Sequence, residues 1–133
     1  MQSAHDVSDG GLAVVIAESC FASSPVGARP FEAQDKHAAP RLGANVSLQA
    51  DSPAEHTLFG ERGARAVVSV KPTSLARVHE IARQYAVGAR EIGKVTRGST
   101  FRIQYNGRAV VDSSVETLRD AWAHSLERAL EVQ

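Results

Sequence analysis

The stretch Ser3–Cys20, SAHDVSDGGLAVVIAESC, contains the signals around which the rest of the chain is arranged. A short polar run is followed by two adjacent glycines, Gly10 and Gly11, and then by a largely apolar segment. Glycine adopts backbone angles that are closed to other residues, and it lets a ligand or another chain approach the backbone closely. This order predicts a short strand, a tight turn and a helix.

The turn has two interpretations, and the residues alone leave both open. Apolar residues after it recur at helical spacing, and Asp9 or Ser8 is suited to cap the helix by accepting from its first free N–H groups. In one interpretation the turn binds a phosphate or contacts a partner domain, with His5 and Asp6 supplying polar contacts. In the other it serves packing only, because a Gly-Gly pair before a helix is a weak anion signal.

The length of the chain indicates the number of domains, and its charge indicates which kinds of partner to expect. The 133 residues are enough for one domain, 1–133, with a single core. Fifteen basic and fifteen acidic residues cancel and are dispersed, so we expect no nucleic acid and no anionic membrane as a partner. The sequence has no apolar run near the ~20 residues that span a bilayer and no signal-peptide pattern, so we expect a cytoplasmic protein.

Strands and helices alternate beyond the first helix. Residues 22–41, which contain Pro25, Pro30 and Pro40, are expected to form a variable surface insertion. Strands are predicted at residues 43–49, 65–71, 90–95, 100–105 and 108–112, with 65–71 as the strongest of them. A short helix is predicted within residues 51–61, ended by Gly60, and Asn106-Gly107 predicts a type I′ hairpin turn.

Two longer helices are predicted in the second half of the chain. Thr73 or Ser74 would cap the first, which carries an apolar stripe and would end at Gly88 in the left-handed conformation: Leu75, Val78, Ala82, Tyr85. Ser113 and Glu116 form a capping box for the second, in which Trp122 is expected to anchor the core. The whole order predicts an α+β domain with a mixed or antiparallel sheet and helices packed on it.

The residue types give little support for catalysis within the chain. The five histidines are scattered, and Cys20 on the first helix is expected to be a small buried side chain. Asp6 and Asp9 could hold Mg²⁺ with phosphate oxygens, but two such carboxylates on a turn more often cap and hydrogen-bond. Glu61 with Arg65 is expected to serve in an ion pair, within the domain or between domains, and not as a catalytic acid. We therefore assign no catalytic residue and no metal ligand.

Four segments resemble, in order and spacing, the last domain of phosphoribosylformylglycinamidine synthase subunit II, a ligase of purine biosynthesis. They are SAHDVSDGGLAVVIAES at 3–19, LFGE at 58–61 before RAVVSV at 65–70, IGKV at 92–95 and LRDAW at 118–122. The resemblance spans nearly the whole chain, except for the divergent stretch from about 23 to 41. It implies an isolated carboxy-terminal domain with an elaborated ferredoxin-like arrangement of helices and sheet.

The resemblance also implies a function. The complete enzymes of this family convert formylglycinamide ribonucleotide, with ATP, Mg²⁺ and glutamine-derived ammonia, into formylglycinamidine ribonucleotide. Their catalytic, ATP-contacting and Mg²⁺-binding motifs belong to upstream domains and do not occur in this chain, so alone it is expected to be inactive. Its partners would be those upstream domains, a glutaminase subunit and a small accessory subunit.

Six residues are then candidates for contact with substrate or with a neighbouring domain. They are His5, Asp6, Asp9, Gly10, Gly11 and Glu61. Two alternatives stay open. The chain could belong to a related ATP-using enzyme (aminoimidazole ribonucleotide synthetase, selenophosphate synthetase or thiamine-monophosphate kinase), or it could be a free-standing binding or oligomerisation module.

Overall fold

A computed structural model describes residues 1–21 and 41–131. The predicted insertion at 22–41 therefore lies outside the described residues, apart from Arg41. The elements in chain order are β1 (Ser3–Asp6), α1 (Gly11–Phe21), β2 (Leu42–Leu48), α2 (Ala54–Phe59), β3 (Ala66–Ser69), a 3₁₀ turn (Pro72–Ser74), α3 (Leu75–Gln84), β4 (Gly93–Arg97), β5 (Thr100–Tyr105), β6 (Arg108–Ser114) and α4 (Val115–Glu131). Within these ranges, no helix is both long enough and apolar enough to cross a bilayer.

The main sheet has four strands in the order β4-β2-β5-β6. Its central pair, β2 and β5, is parallel, and both outer pairs are antiparallel. This confirms the predicted α+β class with a mixed sheet. The predicted strongest strand forms β3, which pairs with β1 in a separate two-stranded ribbon. Val68 in that ribbon is 43% exposed, so the apolar run does not mark a central strand.

One face of the main sheet forms the core. Alternate residues of the two central strands lie side by side in register: Ala44 with Phe101, Val46 with Ile103, and Leu48 with Tyr105. All six are buried, and they share one cluster with the inner side of α1. Cys20 is buried there as predicted, and burial raises the pKa of its thiol. The core thus follows the period of two that the sequence shows on β2.

The opposite face of the sheet is polar. One row crosses all four strands: Lys94, Asn45, Arg102 and Asp112. Arg102 donates two hydrogen bonds to the same oxygen of Asp112, at 2.8 and 3.2 Å. The helices that share the core therefore cover one side of the sheet only, as expected for an antiparallel or mixed sheet with one wet face.

The turn between β5 and β6 forms as predicted. Asn106 and Gly107 both have positive φ angles, 49° and 81°, which a type I′ turn requires. The Asn106 side chain also bridges to the chain beyond β2, because it accepts from the Ala50 N–H and donates to the Ala50 carbonyl. The hairpin is thereby tied to the neighbouring parallel strand.

Helix α3 differs from its prediction at both ends. Ser74 precedes it without a side-chain cap, and a 3₁₀ turn takes the place of that cap. At the other end the left-handed residue is Ala86, with φ 53°, and not Gly88. The Val87 N–H donates to Ala82 and the Ala86 N–H to Arg83, which is the Schellman pattern. The helix therefore ends two residues earlier than the glycine indicates.

The apolar stripe of α3 does not enter the core. No residue of this helix is fully buried, and Tyr85 is 70% exposed. The spacing correctly indicates a helix with one apolar side, but the side is only partly covered by the described residues.

Helix α4 also departs from its prediction. Its cap is Ser114 and not Ser113: the Ser114 hydroxyl accepts from the Thr117 N–H at 3.1 Å. Glu116 instead pairs with Arg41 at 3.2 Å. Trp122 was expected in the core, yet it is 58% exposed and contacts Phe21 with ring centroids 5.9 Å apart.

Candidate functional site

The diglycine turn joins β1 to α1 through two left-handed residues. Gly10 has φ 79° and Gly11 has φ 75°, a conformation that is costly for residues with a Cβ atom. The Gly11 N–H donates to the Ser8 carbonyl at 3.2 Å and closes the turn. Both glycines are therefore required by backbone geometry.

Gly11 is required for a second reason. A Cβ atom at this position would lie 2.6 Å from the backbone carbon of Phe59 and 2.8 Å from the Leu58 carbonyl oxygen, at the end of α2. At Gly10 a Cβ atom would lie 2.7 Å from a methyl group of Val14. The close approach that the sequence indicated is thus made, at Gly11, by this chain's own helix α2.

Glu61 completes the turn from a distant part of the sequence. Its Oε1 accepts a hydrogen bond from the Gly10 N–H at 3.1 Å. A carboxylate beside a helix N-terminus satisfies a free donor and is favoured by the helix dipole. The side chains of Ser8 and Asp9, predicted to serve as the cap, form no hydrogen bond with other described residues, so Glu61 takes the role assigned to them.

Arg65 is not the partner of Glu61. Within the described part of the chain the Arg65 guanidinium donates to the carbonyl oxygens of Gly60 at 2.9 Å and Arg62 at 3.4 Å, so the ion pair does not form within this domain. Arg65 also accepts through its own carbonyl from the Val7 N–H at 2.8 Å. These bonds hold the loop of Glu61 against the turn, so Arg65 positions the carboxylate without contacting it.

His5 lies on the β1 side of the turn. Its Nδ1 is 2.9 Å from the Asp6 carbonyl oxygen, and its Nε2 is 3.5 Å from Oε2 of Glu18. Glu18 was not singled out from the sequence, although it is the one acidic residue on the otherwise apolar α1. The pair ties β1 to α1 across the turn.

The outer side of the turn is acidic and open. Asp6, Asp9 and Glu61 are exposed, Gly10 is half-buried, and Gly11 is buried. A free phosphate approaching this N-terminus would meet carboxylates, one of which already occupies the Gly10 N–H, so direct phosphate binding is disfavoured. The surface is suited to hydrogen-bond donors or basic side chains of a partner domain. The described residues contain no group of three or more His, Cys, Asp or Glu placed to hold a metal ion.

Known proteins match this chain closely enough to classify it. Residues 1–106 match the family model described as AIR synthase related protein, C-terminal domain. Phosphoribosylformylglycinamidine synthase subunit PurL of Parasynechococcus marenigrum is 37% identical over 98% of this chain, and that of Chlorobaculum tepidum is 32% identical over 100%. The chain spans only 15% and 16% of the length of these relatives.

A solved structure has the same fold. The structure titled T. maritima PurL complexed with ATP superposes with a TM-score of 0.68 at 22% identity, over 87% of this chain and 18% of that one. On the match of its first 106 residues, this chain belongs to the family of the AIR synthase related protein C-terminal domain.

Proposed function

We propose that this chain is the C-terminal part of an ATP-dependent ligase of purine biosynthesis. The complete enzyme would convert formylglycinamide ribonucleotide, ATP and glutamine-derived ammonia into formylglycinamidine ribonucleotide. The observation that carries the proposal is the match of nearly the whole chain to relatives named phosphoribosylformylglycinamidine synthase subunit PurL, one of them at 37% identity. The fold shared with the PurL structure supports it.

The chain's own part in the reaction would be structural. Glu61 already accepts from the Gly10 N–H of the turn, so this donor is not free to bind a phosphate. ATP and Mg²⁺ would be held by other domains of the polypeptide, to which the family resemblance assigns the motifs that contact them. We assign to the acidic side of the turn, with His5, Asp6, Asp9 and Glu61, a contact with a basic or donor-rich face of an upstream domain.

The use of ammonia in the proposed reaction indicates what else the complete enzyme would need. A reaction that uses ammonia needs a site closed to water, because water competes with ammonia for the activated substrate. The domain would wall off one side of that site in the cytoplasm. A glutaminase subunit would supply the ammonia, and a small accessory subunit would be a further partner of the complex.

The proposal is tested on the complete gene product, expressed with its upstream coding sequence. Purified enzyme should form formylglycinamidine ribonucleotide only when the ribonucleotide, ATP and an ammonia source are all present. Asp9→Ala should raise KM or lower kcat, whereas Asp51→Ala, at another exposed carboxylate on a different loop, should change neither. Absence of the product with the wild-type enzyme contradicts the proposed function, and an unaltered Asp9→Ala enzyme contradicts the role of the turn.

The free-standing alternative has its own test. Calorimetry of the 133-residue chain with ATP and with the ribonucleotide should show no binding if the chain is one part of a larger enzyme. Micromolar binding by the chain alone would favour an independent module.

A further inference from the structure

Helix α4 is longer than the layer that it covers. Its first turns pack inward, where Val115 is buried and Leu118 is half-buried. Three further apolar residues continue along the same side at intervals of four: Trp122, 58% exposed, Leu126, 71%, and Leu130, 65%. These three residues form the α4 stripe. A side with the spacing of a core face thus runs on into solvent.

An apolar groove continues from the α4 stripe toward the diglycine turn. It has a volume of about 180 Å³, and its wall runs from Trp122 and Phe21 past Val14 to Phe59. Phe59 is 52% exposed, and its backbone is the part of α2 that Gly11 accommodates. The groove and the α4 stripe therefore form one continuous apolar surface that ends beside the candidate site.

The ion pairs on this half of α4 do not cross the α4 stripe. Asp120 pairs with Arg128 at 2.5 Å and with His124 at 3.1 Å. At 100° per residue these three positions lie on the side of the helix opposite Leu126. The Arg128 hydrogen bond lowers the pKa of the Asp120 carboxyl. A partner for the α4 stripe need not supply a charge to these groups.

The size of the surface distinguishes between its possible occupants. Four side chains on it are more than half exposed: Phe59, Trp122, Leu126 and Leu130. With aromatic side chains worth about 150–250 Å² each and leucines somewhat less, they offer about 500 Å² to one partner, or about 1,000 Å² counted on both sides. Stable complexes of separate chains bury about 1,200–2,000 Å², whereas domains of one chain commonly bury about 600–1,500 Å². The surface is small for a dimer and sufficient for a tethered domain.

We propose that the α4 stripe and the groove dock an apolar face of another domain of the same, longer polypeptide. This inference rests on the proposed function, since it requires the chain to be one domain of a larger enzyme. The relatives support that setting, because the chain matches only 15% of their length. The apolar surface supplies the packing area of the interface, and the acidic turn beside it supplies the polar edge.

Oxidative footprinting compares the surface in two settings. The complete gene product and the 133-residue chain are exposed to hydroxyl radicals, and the oxidation rate of Trp122 is measured by mass spectrometry. Trp122 should be oxidised severalfold more slowly in the complete polypeptide. Tyr85, which directly follows α3 and is 70% exposed, is the internal reference and should react at similar rates in both. Equal Trp122 rates, whether both fast or both slow, overturn the proposal.

A matched pair of variants tests the same surface energetically. Leu126→Glu should lower the Tm of the complete polypeptide by several degrees and restore rapid oxidation of Trp122, while leaving the Tm of the 133-residue chain nearly unchanged. Tyr85→Glu, at an equally exposed apolar position outside the surface, should do neither. A dimer of the 133-residue chain that Leu126→Glu dissociates, seen by sedimentation, would make a second copy the occupant and overturn the proposal.

The two proposals fail separately. A complete polypeptide that makes no formylglycinamidine ribonucleotide but protects Trp122 contradicts the proposed function and leaves the docking surface in place. An active enzyme in which Trp122 stays as accessible as in the 133-residue chain contradicts the docking surface alone.

Discussion

At the scale of single residues, Gly11 is the position in the candidate site that tolerates a side chain least. Its φ of 75° and the Phe59 backbone at 2.6 Å from a Cβ position act together. Gly11→Ala should therefore cost about 2–5 kcal/mol, from about 1–2 for the left-handed backbone and about 1–3 for overpacking. Urea unfolding followed by circular dichroism measures this loss.

Gly63 is the matched control for that change. A Cβ atom there would meet nothing within 4 Å, and the residue is exposed on the loop that carries Glu61. Gly63→Ala should leave the free energy of unfolding within about 0.5 kcal/mol of the wild-type value. If both variants lose the same stability, the contact between the turn and α2 is not what requires glycine.

The sequence predicted this turn but not what surrounds it. Adjacent glycines before an apolar helix are a local signal, and the structure confirms the order of strand, turn and helix. That Glu61 caps the helix and that Phe59 lies against Gly11 depend on contacts about fifty positions apart, which no spacing rule within one segment contains. The prediction that Ser8 or Asp9 caps α1 is therefore wrong, because it considered only the residues next to the helix.

At the scale of elements, helix α3 shows how a helix end can be stabilised without its preferred residue. Ala86 occupies the left-handed position of the Schellman motif, where its Cβ atom is strained. Ala86→Gly should therefore stabilise the chain by about 0.5–1 kcal/mol. Ala82→Gly, within the same helix, should instead cost about 1 kcal/mol. Thermal unfolding shows whether each variant is more or less stable than the wild type. A destabilising Ala86→Gly would contradict the assignment of Ala86 to the strained left-handed position.

Elements whose signals lie within a few neighbouring residues match the structure, whereas the predicted ends of the helices do not. The Asn106-Gly107 turn and the strand over residues 100–105 match the structure, since a type I′ turn and a period of two are both encoded within a few residues. Gly88 failed as the end of α3 because a glycine indicates where a left-handed residue is easiest, while the hydrogen bonds of the last turn decide where it occurs. Ser113 failed similarly, one residue before Ser114.

At the scale of the whole molecule, an apolar pattern indicates which side of a helix avoids water but not what covers it. The spacing of Leu118, Trp122 and Leu126 is that of a core face, and the prediction of Trp122 as a core anchor followed from it. In the structure the covered part of α4 ends near Leu118. The exposed part of α4 beyond Leu118 is the surface for which we propose a docking domain.

Because Ile103 is buried and Trp122 is exposed, truncating these two side chains should lower the free energy of unfolding of the 133-residue chain by different amounts. Ile103 is fully buried between β2 and β6, so Ile103→Ala should cost about 2–5 kcal/mol. Trp122 is 58% exposed and keeps one aromatic contact, with Phe21, so Trp122→Ala should cost about 1 kcal/mol. Urea unfolding by circular dichroism, which needs no tryptophan signal, compares them directly. Equal costs would mean that Trp122 is buried by this chain itself, whereas a Trp122→Ala cost that is small here and large in the complete polypeptide is the result expected of a docking face.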